Sequence, residues 1–328
     1  MSEKSKTIIV APLDWGLGHA TRMLSVVRWL SESYNVYVAV PQSLWFLFEN
    51  ENVRIISLPG LNIRFNRTPL LLSAFFQLPK IIIRSFFTKL AIKKVVRKIK
   101  PDLIISDNHP LVRHKNVPSV YITHQLNIQH KRFVIRGLLN YQHHKFINRY
   151  NECWVPDTEN HYFAGDLSIG KLKIPVKFIG GLSRFQTTKE ISSERFRKIC
   201  ILSGPEPQKT RWANQIKRPW KDEKGSLIIG MLPGTDRFEK NGELTIASHL
   251  SDSIFMSMIK QADEIISRSG YSTIMDLAYL EKKATLIPTK GQTEQEYLVR
   301  YYKETKTGAP IFASKQEILE NVDQLLGN

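Results

Sequence analysis

The chain has 328 residues, of which 42% are hydrophobic and 23% charged, with a formal net charge of +17 at pH 7. This size and composition fit a globular protein of about two domains and exclude an intrinsically disordered chain or a helix-spanning membrane protein, since no apolar run is long enough to cross a bilayer. Two cysteines, Cys153 and Cys200, exclude a disulfide framework and, with no signal-peptide pattern at the start, fit a cytoplasmic protein.

The first apolar run, Thr7 to Val10, predicts a strand over 7–11, and the periodic Met23, Val26, Val27 and Leu30 predict a helix. Gly16-Leu17-Gly18-His19 therefore forms a strand-to-helix turn, where glycines permit close ligand approach and the helix N–H groups favour anions. Thr21 stands where a dinucleotide fingerprint would carry its third glycine, so phosphate or sugar chemistry fits better. His19 is the candidate general base, and Asp14 the second.

Strands follow at 35–40 and 53–58, and then comes a basic region. Residues 61–150 carry +15 of the net charge, which points to an anionic partner. In residues 69–90, Ile82, Ile83, Phe86, Phe87 and Leu90 form one apolar stripe among Lys80, Arg84 and Lys89. Bulky aliphatics beside basic residues favour an anionic membrane surface over nucleic acid, which would show stacking platforms or a recognisable module, with plain packing between helices as the other reading of residues 69–90. The next stripe, Ala91, Ile92, Val95, Val96 and Ile99, is turned by about half a turn and reads as core.

Further strands are expected at 102–106, 119–123, 152–156 and 176–180, which completes a parallel sheet covered on both faces. His109, His124 and Gln125 follow two of them at the carboxyl rim and are candidates on the acceptor side. His143 and His144 read as surface residues without metal-ligand spacing. Gly165 to Lys171 imitates a phosphate loop, but Leu172 replaces its Ser or Thr.

The polar segment 183–197 reads as a linker. A second strand series is expected at 198–202, 226–231, 244–248, 264–267, 284–288 and 310–313. The first of these feeds Ser203-Gly204, where Pro205 and Pro207 remove N–H groups otherwise available to a phosphate. Arg268, Ser269 and Gly270 turn into a helix carrying Asp276, whose carboxylate can accept two ribose hydroxyls. The loop Lys290 to Glu296 is dense in donors and acceptors suited to sugar hydroxyls.

The SRSG turn, the acid after it and the GQTEQE loop resemble the donor-binding half of family 28 glycosyltransferases, the MurG-like group, and GLGHATR resembles that family's N-terminal glycine-rich loop. The resemblance implies an α/β protein of GT-B architecture: two facing Rossmann-like domains with a cleft between them, residues 1–182 holding the acceptor and 183–328 the donor. It implies a donor site of Gly16, Gly18, Ser203, Gly204, Leu250, Arg268, Ser269, Gly270, Thr273, Asp276, Gln292, Gln295 and Glu296. The implied reaction is inverting transfer of a hexosyl group, such as N-acetylglucosaminyl, from a UDP-sugar to a lipid-linked or other amphiphilic acceptor at the inner face of the cell membrane. No cofactor is implied, and the sequence contains no Asp-x-Asp, so a metal-independent route is expected. The alternatives are a UDP-sugar 2-epimerase and a non-catalytic sugar-nucleotide-binding subunit.

Overall fold

The structure is a computed structural model, and it describes residues 6–14, 16–60, 70–204, 206–232, 234–303 and 310–327, with side chains in the long helix from residue 83 onward. Packing divides the chain into two units, one drawn from Met1–Ile63, Ala74–Leu182 and Lys306–Asn328, the other from Arg64–Ser73 and Ser183–Thr305, so that the first residues of the long helix group with the second unit.

The first unit begins β1 (Thr7–Pro12), α1 (Gly18–Ser33), β2 (Asn35–Val40), β3 (Arg54–Ser57) and α2 (Leu70–Ile99). It continues β4 (Leu103–Asp107), β5 (Ser119–Ile122), α3 (Phe133–Ile147), β6 (Glu152–Val155) and β7 (Val176–Phe178). All seven strands pair in parallel, in the order β3-β2-β1-β4-β5-β6-β7. The runs Ile8-Ile9-Val10 and Leu103-Ile104-Ile105 are fully buried, as strands covered on both faces must be. The chain moves outward in one direction from β1 and in the other from β4, so the switch point lies between these neighbours, where α/β sheets bind ligands.

Two of its helices share a face of the sheet. Ile92 and Val96 of α2 pack on Ile9, Ala11, Ala39 and Ile104. Register carries that face from Ile104 to Ser119 and from Tyr121 to Cys153, and there α3 meets the sheet through Ile147 and the contact of His143 with Tyr121. The expected second stripe of α2 is thus core. Ile83, Phe86, Phe87 and Leu90 of the first stripe are exposed; Ile82 lies outside the described side chains.

The second unit runs β8 (Lys198–Ile201), α4 (Gln208–Trp220), β9 (Ser226–Ile229), β10 (Phe238–Asn241), β11 (Leu244–Ala247), α5 (Asp252–Gln261), β12 (Glu264–Arg268), α6 (Tyr271–Tyr279), β13 (Thr285–Ile287) and α7 (Thr293–Lys303). Its sheet has the order β10-β11-β9-β8-β12-β13, parallel except for the hairpin of β10 with β11. Of that hairpin, β11 falls within the strand expected at 244–248 while β10 is absent from the expected strands, although Asn241-Gly242 signals the turn. Gly242 has φ +65 at the first position of the two-residue loop, and a Cβ there would stand 2.7 Å from the Lys221 carbonyl oxygen.

The segment expected as a linker belongs to this unit. Ser183 caps the turn Arg184–Thr187 in a reciprocal capping box with Gln186, while Phe185 and Phe196 enter the core with Ile199, Leu227 and Phe255.

The end of the chain also departs from expectation. Residues 310–327 pack with the first unit. There α8 (Lys315–Leu326) buries Ile318 and Val322, and Tyr34 donates a hydrogen bond to Asp323. The strand expected at 310–313 is a single bridge of Phe312 with Gly181. Gly181 exchanges backbone bonds of 2.9 Å with Ile311 and Ala313, and a Cβ at Gly180 would come within 2.7 Å of Ala313 N. Only glycine admits so close a return.

Candidate active site

In the first unit the glycine turn leads from β1 into α1 without a side-chain cap, Gly16 taking φ +79 and Gly18 opening the helix. His19 and Arg22, three residues apart, share one face of α1 and both reach Asp107 at the end of β4, across the switch point. His19 Nδ1 lies 3.1 Å from Asp107 Oδ2, and Arg22 Nε donates to the same oxygen at 3.0 Å while Nη2 donates to Oδ1. Arg22 Nη1 is 3.2 Å from His124 Nδ1.

Burial alone would raise the Asp107 carboxyl; the Arg22 guanidinium and His19 outweigh it and hold the group below its usual value. A carboxylate accepting from Nδ1–H fixes the His19 tautomer whose Nε2 carries the lone pair. His19 keeps 15% of its side chain exposed.

Of the other expected rim residues, His109 is buried, and burial, with a smaller contribution from His19, pushes it down to about 4. Its carbonyl accepts from Ser106 Oγ at 2.7 Å and Tyr150 Oη at 3.1 Å, which makes its loop a rigid part of the rim. His124 is buried against Arg22. Gln125 accepts from His143 Nε2 at 2.9 Å, and Leu126 from His144 Nε2 at 2.6 Å. The two adjacent histidines expected at the surface therefore fasten α3 to the rim loop. Asp14 sits against Gly60, where a Cβ would stand 2.6 Å from its Oδ2.

In the second unit the switch point falls between β8 and β12, so the turns Ser203-Gly204 and Ser269-Gly270 lie side by side. Gly204 has φ +99 and open space around its Cβ position; Pro205 lies outside the described residues. Ser269 is buried and donates to the Gln295 carbonyl at 3.0 Å, and Gly270 caps α6. Thr273, on the first turn of α6, is partly buried.

Several expected donor residues are already engaged. Arg268 stacks 4.2 Å over Trp212 and donates to the Pro288 carbonyl at 2.9 Å. Asp276 is buried, accepts from Ser183 Oγ at 2.7 Å and pairs with Arg184 at 3.3 Å; burial is the larger influence and lifts its carboxyl to about 6. Gln295 Oε1 accepts from Thr289 N at 2.8 Å, and Glu296 Oε1 from Gly291 N at 2.9 Å, so both shape the loop holding Gln292. Leu250 lies in the core, its backbone continuing the rim loop after β11.

Three residues escaped the sequence reading. Asp107 closes an apolar strand run, Arg22 follows His19 by three, and Lys209 stands in the first turn of α4. Lys209 Nζ is 3.9 Å from where a Gly230 Cβ would be, at the rim beside β9. Burial depresses its ammonium, with Glu206 partly offsetting the effect.

Residues 239–326 match the model of the glycosyltransferase family 28 C-terminal domain. The chain is similar in structure to the glycotransferase of kitacinnamycin, with a TM-score of 0.60 at 12% identity over 99% of this chain and 92% of that one. Spinosyn rhamnosyltransferase SpnG complexed with thymidine diphosphate gives 0.55 at 13% identity, over 98% and 92%. The glycosyltransferase SnogD from Streptomyces nogalater gives 0.54 at 12%, over 99% and 96%. No curated protein matches the sequence. These likenesses establish the GT-B fold, and the resemblance to family 28 rests on the domain match in the second half.

Proposed function

We propose that this chain, a glycosyltransferase of the GT-B fold, moves a hexosyl group from a UDP-sugar to a lipid-linked or other amphiphilic acceptor, with inversion and without a metal ion. The observation that carries the reading is the contact of His19 with Asp107 across the first sheet's switch point. In the transfer, His19 Nε2 takes the proton of the acceptor hydroxyl as its oxygen bonds to the anomeric carbon. The bond from that carbon to the diphosphate oxygen breaks, and its electron pair leaves with UDP. One displacement inverts the centre. General-base assistance of this kind contributes about 10² to 10⁴ in rate.

The departing diphosphate requires positive potential. In the second unit we assign it to the N–H groups around Ser203-Gly204 and Gly270, with the Lys209 side chain as a further donor where Pro205 and Pro207 offer no N–H. The thymidine diphosphate complex of SpnG supports a nucleoside diphosphate in a chain of this fold. Sugar hydroxyls are assigned to Gln292 and the first turn of α7, where Gln295 and Glu296 stand on the helix and not in the loop expected from the sequence. The ribose falls to Asp276, on the condition that it displaces Ser183 or Arg184 from the carboxylate.

The acceptor's amphiphilic character is read from the first unit. On one side of its sheet α2 exposes Phe86 and Phe87, and α3 exposes Phe133 (76%), Val134 (78%), Leu138 and Tyr141, amid exposed Lys89, Lys93, Lys94, Lys131, Arg132 and Lys145. Apolar side chains ringed by cations suit peripheral attachment to an anionic leaflet. Among the described residues no helix is long and apolar enough to cross a membrane.

A thermal-shift panel of UDP-, TDP- and GDP-sugars tests the donor. A ligand at 100 times its Kd stabilises the fold by about 2.7 kcal/mol, and UDP-sugars are expected to give the largest shift. A shift from none of the panel overturns the reading. Product analysis with UDP-N-acetylglucosamine alone separates transfer from 2-epimerisation.

A further inference from the structure

We infer that Arg22 is a positioning residue for the reaction: its buried guanidinium keeps Asp107 a carboxylate and so sets which nitrogen of His19 carries the proton. This rests on His19 being the base proposed above, and goes beyond it by assigning the control of that base to a residue that does not face the acceptor.

The geometry is specific. Arg22 is 1% exposed and Asp107 wholly buried, and two N–H groups of one guanidinium meet the two carboxylate oxygens. Asp107 Oδ2 receives both Arg22 Nε–H and His19 Nδ1–H. A carboxyl in such a place, deprived of its cation, would take up a proton instead of remaining charged. Its new O–H would then donate to His19 Nδ1, and the imidazole proton would move to Nε2, where it blocks uptake of the acceptor proton. Arginine serves here because it does not lose its charge and its fork spans both oxygens.

The third N–H completes the arrangement. Arg22 Nη1 points at His124 Nδ1, which can accept only if His124 is neutral with its proton on Nε2. One ion pair thus holds two rim histidines in opposite tautomers. The titratable groups facing Asp107 are Arg22 and His19 from α1, Tyr121 from β5, and, one step farther, His109 and His124. Arg22 is the only one of these that bears a permanent positive charge.

The test uses the full chain with 15N-labelled histidine, in the wild type and in Arg22→Gln, Arg22→Lys and Asp107→Asn. In the ligand-free wild type, His19 is expected to hold its proton on Nδ1, and Asp107 to titrate below the ordinary carboxylate range. In Arg22→Gln the proton is expected on Nε2 at neutral pH. The acidic limb of kcat should then move up by about one pH unit or more, with a loss of about 10- to 100-fold at pH 6 that largely recovers by pH 9. Arg22→Lys should keep the limb within about half a unit, and Asp107→Asn should lose activity at every pH. A purely structural role for Arg22 would lower activity equally across pH and leave the tautomer unchanged, and that result overturns the proposal. Titration of Asp107 above about pH 5 in the wild type also overturns it, whether or not any variant folds. The tautomer is read without substrate, so it stands or falls apart from the transferase reading.

Discussion

At the scale of single residues, the proposed site divides into groups assigned to the chemistry and groups assigned to hold them. His19→Ala is expected to lower kcat by about 10² to 10⁴ while leaving the UDP-induced thermal shift intact, which a paired turnover and melting experiment checks. Asp107→Asn is expected to cost about 3–5 kcal/mol at pH 7, because it leaves the buried Arg22 without its counter-charge. The folded carboxyl of Asp107 is held below its ordinary value. Its contribution is therefore fully present above the unfolded value near pH 4 and is lost as pH falls through the lower folded one. Urea unfolding of both forms should show the gap closing in acid. His19 was legible in the sequence because it adjoins a glycine turn, a local signal. Asp107 was not: 88 residues separate it from His19, and only sheet order makes β1 and β4 neighbours. Arg268 and Asp276 were legible as polar residues of the right turn, but their partners, Trp212, Ser183 and Arg184, are tertiary.

At the scale of elements, α2 shows how periodicity can separate two roles within one helix. Its two stripes point different ways, and the structure buries the one that reads as core and exposes the other. In α3 the stripe was not legible, because His143 and His144 look like surface residues until the loop carbonyls of Gln125 and Leu126 are placed against them. Fully burying a phenylalanine stabilises by about 1.5–3 kcal/mol. Phe86→Glu combined with Phe133→Glu is therefore expected to reduce sedimentation with anionic vesicles by about tenfold or more, and to leave the circular dichroism unchanged. Binding of the wild type should also weaken with salt, since the exposed lysines act over a screened distance. Unchanged vesicle binding by the double variant would remove the membrane from the proposal.

At the scale of the molecule, the chain is two Rossmann-like units whose sequence boundaries are not simply consecutive. The α/β alternation was legible because parallel strands buried on both faces read as uninterrupted apolar runs. The return of residues 310–327 to the first unit was not, since α8 reads as an ordinary amphipathic helix and its docking depends on Gly180, Gly181 and Tyr34 far upstream. Removing α8 exposes the surface that Ile318 and Val322 cover, an expected loss of up to about 3–6 kcal/mol from the first unit. Hydrogen exchange should show that loss in β1 and β2 while β8 and β12 stay protected. The most direct test of the whole is release of nucleoside diphosphate from a UDP-sugar by the wild type and His19→Ala, each with and without an amphiphilic alcohol acceptor in anionic vesicles. Acceptor-dependent release by the wild type, with release by His19→Ala lower by at least about 10², is the expected result; equal release by both proteins, or none by the wild type from any sugar nucleotide, contradicts it.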